Sequence, residues 1–115
     1  MDPKLLIVDK DRTLAKGLKY SLEQDNYIID TIYRGKETLG RIQEKSYDLI
    51  ILELELKDID GLKLCKEIRN ISYVPIIVIG KTKDDISNIL ALENGADDLL
   101  IRPLDIDELK VRIKA

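Results

Sequence analysis

The chain has 115 residues, 44% hydrophobic and 36% charged, with a formal net charge of -3. A single cysteine and no histidine exclude an internal disulfide, a Ser-His-Asp or Cys-His relay and any zinc-type site, so a metal would need hard oxygen ligands such as suit magnesium or calcium. The acidic balance argues against this segment gripping nucleic acid by itself, no apolar run reaches the ~20 residues of a membrane span, and one cytoplasmic domain is expected.

The first apolar run, residues 5–8, ends in Asp9-Lys10-Asp11. Leu14, Leu18 and Leu22 then recur at helical spacing behind Asp11, a candidate N-cap. A second run, residues 28–32, leads to a helix marked by Leu39 and Ile42 and opened by Arg34 or Gly35. The third, residues 48–52, runs straight into the lone carboxylate of Glu53, and Leu62, Cys65 and Ile68 mark the helix that follows. Cys65, on that stripe, reads as a core residue. Residues 75–79 form the fourth run, ahead of Gly80 and Lys81. Ile86, Ile89 and Leu90 mark the next helix, with Asp84 or Asp85 near its start and Gly95 at its C-terminal end. The last run, residues 99–101, is followed by Arg102-Pro103 and by a fifth helix carrying Ile106, Leu109 and Ile113 behind the cap Asp105.

Five apolar runs alternating with five amphipathic stretches predict an α/β fold. It is a five-stranded parallel sheet, doubly wound, with right-handed crossovers and helices on both faces. Runs three and four are apolar throughout, as strands covered on both sides must be. Sites in such sheets lie beyond the carboxyl ends of the strands, where strand order reverses. Asp9, Lys10, Asp11, Glu53, Gly80, Lys81 and Arg102 all stand there. Singly each is an ordinary loop residue; jointly they predict one pocket.

Several stretches carry a family resemblance: Leu5-Leu6-Ile7-Val8-Asp9, Tyr47-Asp48-Leu49-Ile50-Ile51-Leu52, Asp60-Gly61-Leu62, Val74-Pro75-Ile76-Ile77, Gly95-Ala96-Asp97-Asp98 and Arg102-Pro103-Leu104-Asp105. In this order and spacing the whole chain resembles the receiver domains of bacterial two-component response regulators, with their flavodoxin-like, CheY-like fold. It is most similar to the winged-helix (OmpR-type) subfamily. In that family an acidic pair after strand one and an aspartate after strand three hold Mg²⁺, and the aspartate accepts a phosphoryl group from a histidine kinase. A Ser or Thr after strand four and a Lys after strand five contact the phosphoryl oxygens, and an aromatic on strand five reports the switch. This chain keeps Asp9 but has Lys10, Glu53, Gly80, Arg102 and Leu99 at the other positions, and Lys57 where a proline is usual.

Asp9 and Glu53 supply two negative charges and Lys10 and Arg102 two positive ones, a sum of zero that leaves a divalent cation nothing to neutralise. The expectation is therefore no Mg²⁺ and no other cofactor, with the Lys10 ammonium in the metal's place, bridging Asp9 and Glu53. Glu53 is one methylene longer than aspartate and lacks the family's stabilising partners, so phosphorylation is not expected. It acts either as a structural anchor, the favoured reading, or as a mimic of phosphoaspartate.

The resulting reading is a degenerate receiver, not an enzyme: a phosphorylation-independent regulatory and dimerisation module of a bacterial transcription factor, with a histidine kinase partner in question. One alternative is a receiver still phosphorylated at Glu53, Asp11 or Asp58. Another is a small-molecule module, although residues 9–13 lack the Gly-rich or hydroxyl-rich cradle that such carriers use. The resemblance further implies a homodimer through the fourth helix, fifth strand and fifth helix, using Glu93, Asp98, Glu108, Arg112 and Lys114. Asn88 stands there at a usually basic position. It also implies a cis Arg102–Pro103 bond, no membrane contact, and a DNA-binding domain after residue 115, which would make 1–115 an N-terminal domain.

Overall fold

Each apolar run becomes a strand in the computed structural model, which describes residues 2–115. The strands are β1 (Lys4–Val8), β2 (Ile28–Ile32), β3 (Leu49–Glu53), β4 (Ile76–Gly80) and β5 (Asp98–Ile101), all paired in parallel in the order β2-β1-β3-β4-β5. Between them run α1 (Arg12–Glu23), α2 (Thr38–Glu44), α3 (Gly61–Ile71), α4 (Ile86–Glu93) and, after β5, α5 (Ile106–Lys114). A 3-10 turn over Gly35–Glu37, with Arg34 at its N-cap, precedes α2.

Every residue of β3 and β4 is buried, and the period of two sends alternate side chains into two cores. Ile7, Ile51 and Ile77 pack with Leu18 and Leu22 of α1 and Leu109 of α5. On the opposite face Val8, Ile50 and Val78 pack with Leu64 and Ile68 of α3 and Ala91 of α4. Each large side chain removed from water contributes about 1.5–3 kcal/mol, so these two layers hold the sheet between its helices. Cys65 belongs to the second layer as expected, and burial pushes its thiol pKa up.

The helix starts follow the aspartates. Asp11 Oδ1 accepts the Leu14 N–H at 3.1 Å, Asp85 the Ser87 N–H at 2.9 Å, and Asp105 the Asp107 N–H at 2.9 Å. Gly95 ends α4 with φ 117, a conformation that favours glycine. Several strand boundaries differ by one residue from the sequence expectation: β1 and β5 open one residue early, at Lys4 and Asp98, while β3 and β4 are both shifted one residue later. Pro75 has no N–H to give and stays outside β4, its carbonyl accepting the Ile50 N–H. The ladder instead extends one residue further, so Glu53 and Gly80 are the last residues of β3 and β4.

The outer half of α4 departs most from expectation. Its apolar stripe does not face the core: Ile86 is 68% and Ile89 61% exposed, while Asn88 and Ala91 point inward. The spacing of the stripe marks a helix correctly but does not say which side of it is covered. Among the described residues no helix is long and apolar enough to cross a membrane.

Candidate functional site

Strand order reverses at β1, which pairs with both β2 and β3. Val8 stands beside Leu52, so Asp9 and Glu53 emerge next to one another at the crevice. The backbone ladder continues past the strand ends: Asp9 N–H donates to Ile32 O, Leu54 N–H to Ile79 O and Arg102 N–H to Gly80 O. The side chains that follow are thereby fixed in direction.

Asp9 and Glu53 are 1% and 4% exposed, two carboxylates held almost out of water. Between them lies one guanidinium. Arg102 Nη2 is 3.3 Å from Asp9 Oδ2, where it donates a hydrogen bond, and 2.8 Å from Glu53 Oε2. The second contact is off the N–H axis, an ion pair without an aligned hydrogen bond, and Glu53 Oε2 has no aligned partner among the described residues. Asp9 Oδ1 accepts the Asp11 N–H at 2.9 Å. Burial, then the neighbouring Asp9 carboxylate, push the Glu53 pKa up to about 8, against the opposing pull of Arg102 and Lys10. A proton on Glu53 cancels the one negative charge that two carboxylates and a guanidinium leave over.

The expected Lys10 bridge is therefore corrected: Arg102, not Lys10, spans the two acids. Lys10 Nζ instead pairs with Glu55 Oε1 at 2.5 Å, and Lys81 Nζ lies 3.4 Å from Glu55 Oε2. Two physical reasons explain the exchange. Consecutive residues at a strand end point apart, so with Asp9 turned inward Lys10 turns out toward the loop after β3. The planar, weakly hydrated fork of arginine also suits two carboxylates better than an ammonium does. Glu55 was not singled out from the sequence; its alternation with Glu53 across Leu54 was the available signal.

The loop after β3 is tied down internally. Desolvation pushes the Asp58 carboxyl up, but the N–H groups of Lys36 and Gly35, which it accepts at 2.9 and 3.0 Å, outweigh it and hold the carboxyl below the usual range. Gly61 lies so close to Leu54 that an added Cβ would sit 2.3 Å from the Leu54 carbonyl oxygen. Asp11 and Asp58, the alternative phosphoacceptors considered from sequence, thus both serve as acceptors for backbone N–H groups. The Arg102–Pro103 peptide is cis, and Leu99 packs against the α3–α4 layer.

On the α4–β5–α5 side, Arg112 Nη1 reaches Asp98 Oδ2 of the same chain at 3.2 Å. Glu93, Glu108 and Lys114 make no ion pair among the described residues. Asn88 is not on that surface at all: it is 3% exposed, turned toward Gly80.

A doubly wound sheet with acidic side chains gathered at its β1/β3 switch point defines a CheY-like α/β domain. Residues 5–114 match the response regulator receiver domain family, and the chain belongs to it. The chain is 41% identical over 112 residues to the response regulator ArlR of Staphylococcus saprophyticus, covering 97% of this chain and 51% of that protein. The ArlR of Staphylococcus aureus matches to the same extent. The chain thus spans about half the length of the curated relatives it matches. Among solved structures, a two-component response regulator from Clostridium difficile superposes with a TM-score of 0.94 at 41% identity, over 98% of this chain and 93% of that one. The BeF3-activated N-terminal receiver domain of Klebsiella pneumoniae RstA gives 0.91 at 25% identity, over 96% and 95%.

Proposed function

We propose that this receiver works without phosphoryl transfer, as a regulatory and dimerisation module of a bacterial transcription factor. The observation that carries the reading is the Arg102 guanidinium set between Asp9 and Glu53. A magnesium ion does not fit these side chains. It would have to displace a cation already paired with both carboxylates, and Lys10, turned out to Glu55, supplies no third oxygen ligand. Phosphoryl transfer depends mainly on positioned charge, and Gly80 offers no hydroxyl at the β4 end to supply part of it. A carboxyl that holds its proton up to about pH 8 is also a poor nucleophile at neutral pH.

Ile86 and Ile89, exposed three residues apart on α4, favour the dimer. Large apolar side chains gathered on one outer face mark an interaction surface, and a second copy of the same chain gives a closed two-fold contact. In a parent as long as the ArlR relatives, the other half would hold the DNA-binding domain, which would carry the output to DNA.

The relatives named response regulators favour a second reading, in which a histidine kinase still phosphorylates Glu53. Mass spectrometry after incubation with acetyl phosphate and Mg²⁺ separates the two. Under the first the mass stays unchanged; a stoichiometric phosphoryl adduct that disappears in Glu53→Gln supports the second.

A further inference from the structure

Asn88 enters the core from α4 at the one place where β4 has no side chain. It is 3% exposed, yet the helix that carries it leaves Ile86 and Ile89 in water. Burying an amide costs free energy unless it is hydrogen-bonded, so a polar residue placed inward while isoleucines face outward needs a structural reason. The amide Nδ2 donates to Thr82 O at 2.8 Å, across the loop that joins β4 to α4. The other amide atom, Oδ1, has no hydrogen-bond partner among the described residues and lies against Gly80. A Cβ built on Gly80 would come within 2.2 Å of Oδ1 and 3.0 Å of Asn88 Cγ, with Ile101 Cδ1 at 3.2 Å on its other side. Any side chain at position 80 and the inward amide at position 88 therefore exclude one another.

We propose that Asn88 is a latch. Its amide fills the volume that glycine leaves at position 80 and is tied to the Thr82 carbonyl, which fixes the first turn of α4 and the loop before it in one position on the sheet. The neighbouring contacts act in the same sense. Asp85 caps the helix through Ser87 N–H, Asn88 N–H donates to Asp85 O at 3.1 Å, and Asp85 N–H donates to Thr82 O at 3.4 Å. The Thr82 carbonyl thus collects both the loop and the side chain of the following helix. With α4 held, its apolar outer face is presented constantly, independent of events at Glu53. That consequence rests on the reading of the α4 face given above, whereas the latch itself does not.

A double-mutant cycle between positions 80 and 88, measured by denaturant unfolding of the intact chain, tests the interlock. Gly80→Ala lowers the folding equilibrium constant by about tenfold or more through overpacking, and Asn88→Ala lowers it about fivefold through the lost hydrogen bond. Combined, the two are less damaging than Gly80→Ala alone, because the smaller side chain at 88 makes room for the methyl group. Costs that simply multiply would overturn the latch. Should Gly80→Ala fail to fold, amide exchange in Asn88→Ala decides instead: residues 82–90 exchange on the order of tenfold faster while the strands are unchanged. Equal acceleration throughout the chain, or none at all, would overturn the proposal. Self-association of Asn88→Ala separates the two readings. Local loosening without weaker association keeps the latch and removes its consequence for the dimer; no local loosening removes the latch whatever the oligomeric state.

Discussion

The crevice at the strand ends and the outer side of α4 invert opposite rules of burial. At the crevice two carboxylates lie inside the protein; on α4 two isoleucines lie outside it. Charges are buried where other groups can offset them: Arg102 pairs with both acids, and a proton on Glu53 removes the charge left over. Apolar side chains remain in water where something else has taken the inward position, and on α4 that is Asn88 over Gly80. A self-contained interior at one region and an unfinished surface at the other are what a domain needs if it is to work by contact rather than by chemistry.

The sharpest way to break this contrast is to unseal the crevice. Arg102→Ala leaves Asp9 and Glu53 facing each other and should cost about 3 kcal/mol at pH 9 in urea unfolding. The loss should shrink at pH 6, where Glu53 carries a proton. An equal and small loss at both pH values would mean that the arginine serves neither acid.

The pH dependence of the wild-type chain tests the same crevice. The folded Glu53 pKa, about 8, lies above the 4.5 of an ordinary glutamate, so the folded state binds the extra proton between these values. The contribution is complete below pH 4.5 and is lost as pH rises through about 8. Glu53→Gln should flatten that fall. If the slope persists in the variant, another group is responsible.

On the other region, Ile89→Lys should weaken self-association by at least about tenfold in sedimentation equilibrium. An exposed position tolerates the change, so stability should stay within about 0.5 kcal/mol. A dimer unaffected by the lysine would place the contact elsewhere.

The smallest effect is at the pocket mouth. Lys10 pairs with Glu55 where both are partly open to solvent, so Lys10→Ala should cost no more than about 0.5 kcal/mol and added Mg²⁺ should not restore it. A large, magnesium-reversible loss would return Lys10 to the position between the acids that the charge count alone assigned to it.

The strands were readable because parallel strands covered on both faces must be apolar throughout, and residues 49–52 and 76–79 are. The helix starts were readable because Asp11, Asp85 and Asp105 each offer an oxygen to otherwise unpaired N–H groups. What could not be read was direction. The spacing of Ile86, Ile89 and Leu90 is the same whether that stripe meets the core or the solvent. Likewise the pocket's charges could be counted, but Lys10 and Arg102 count alike; only the geometry of the β1 and β5 ends gives the inner place to arginine. Asn88 stayed hidden because its role depends on the absence of a side chain at Gly80, eight positions earlier in the chain.

Magnesium titration of the wild-type chain beside Arg102→Ala, followed by NMR at Asp9, Glu53 and position 102, tests the closed pocket most directly. With Arg102 present, millimolar Mg²⁺ should leave the Asp9 and Glu53 signals unmoved, and without it they should respond. Saturable shifts at Asp9 and Glu53 in the wild-type chain would show that the crevice opens to a metal and would contradict the account.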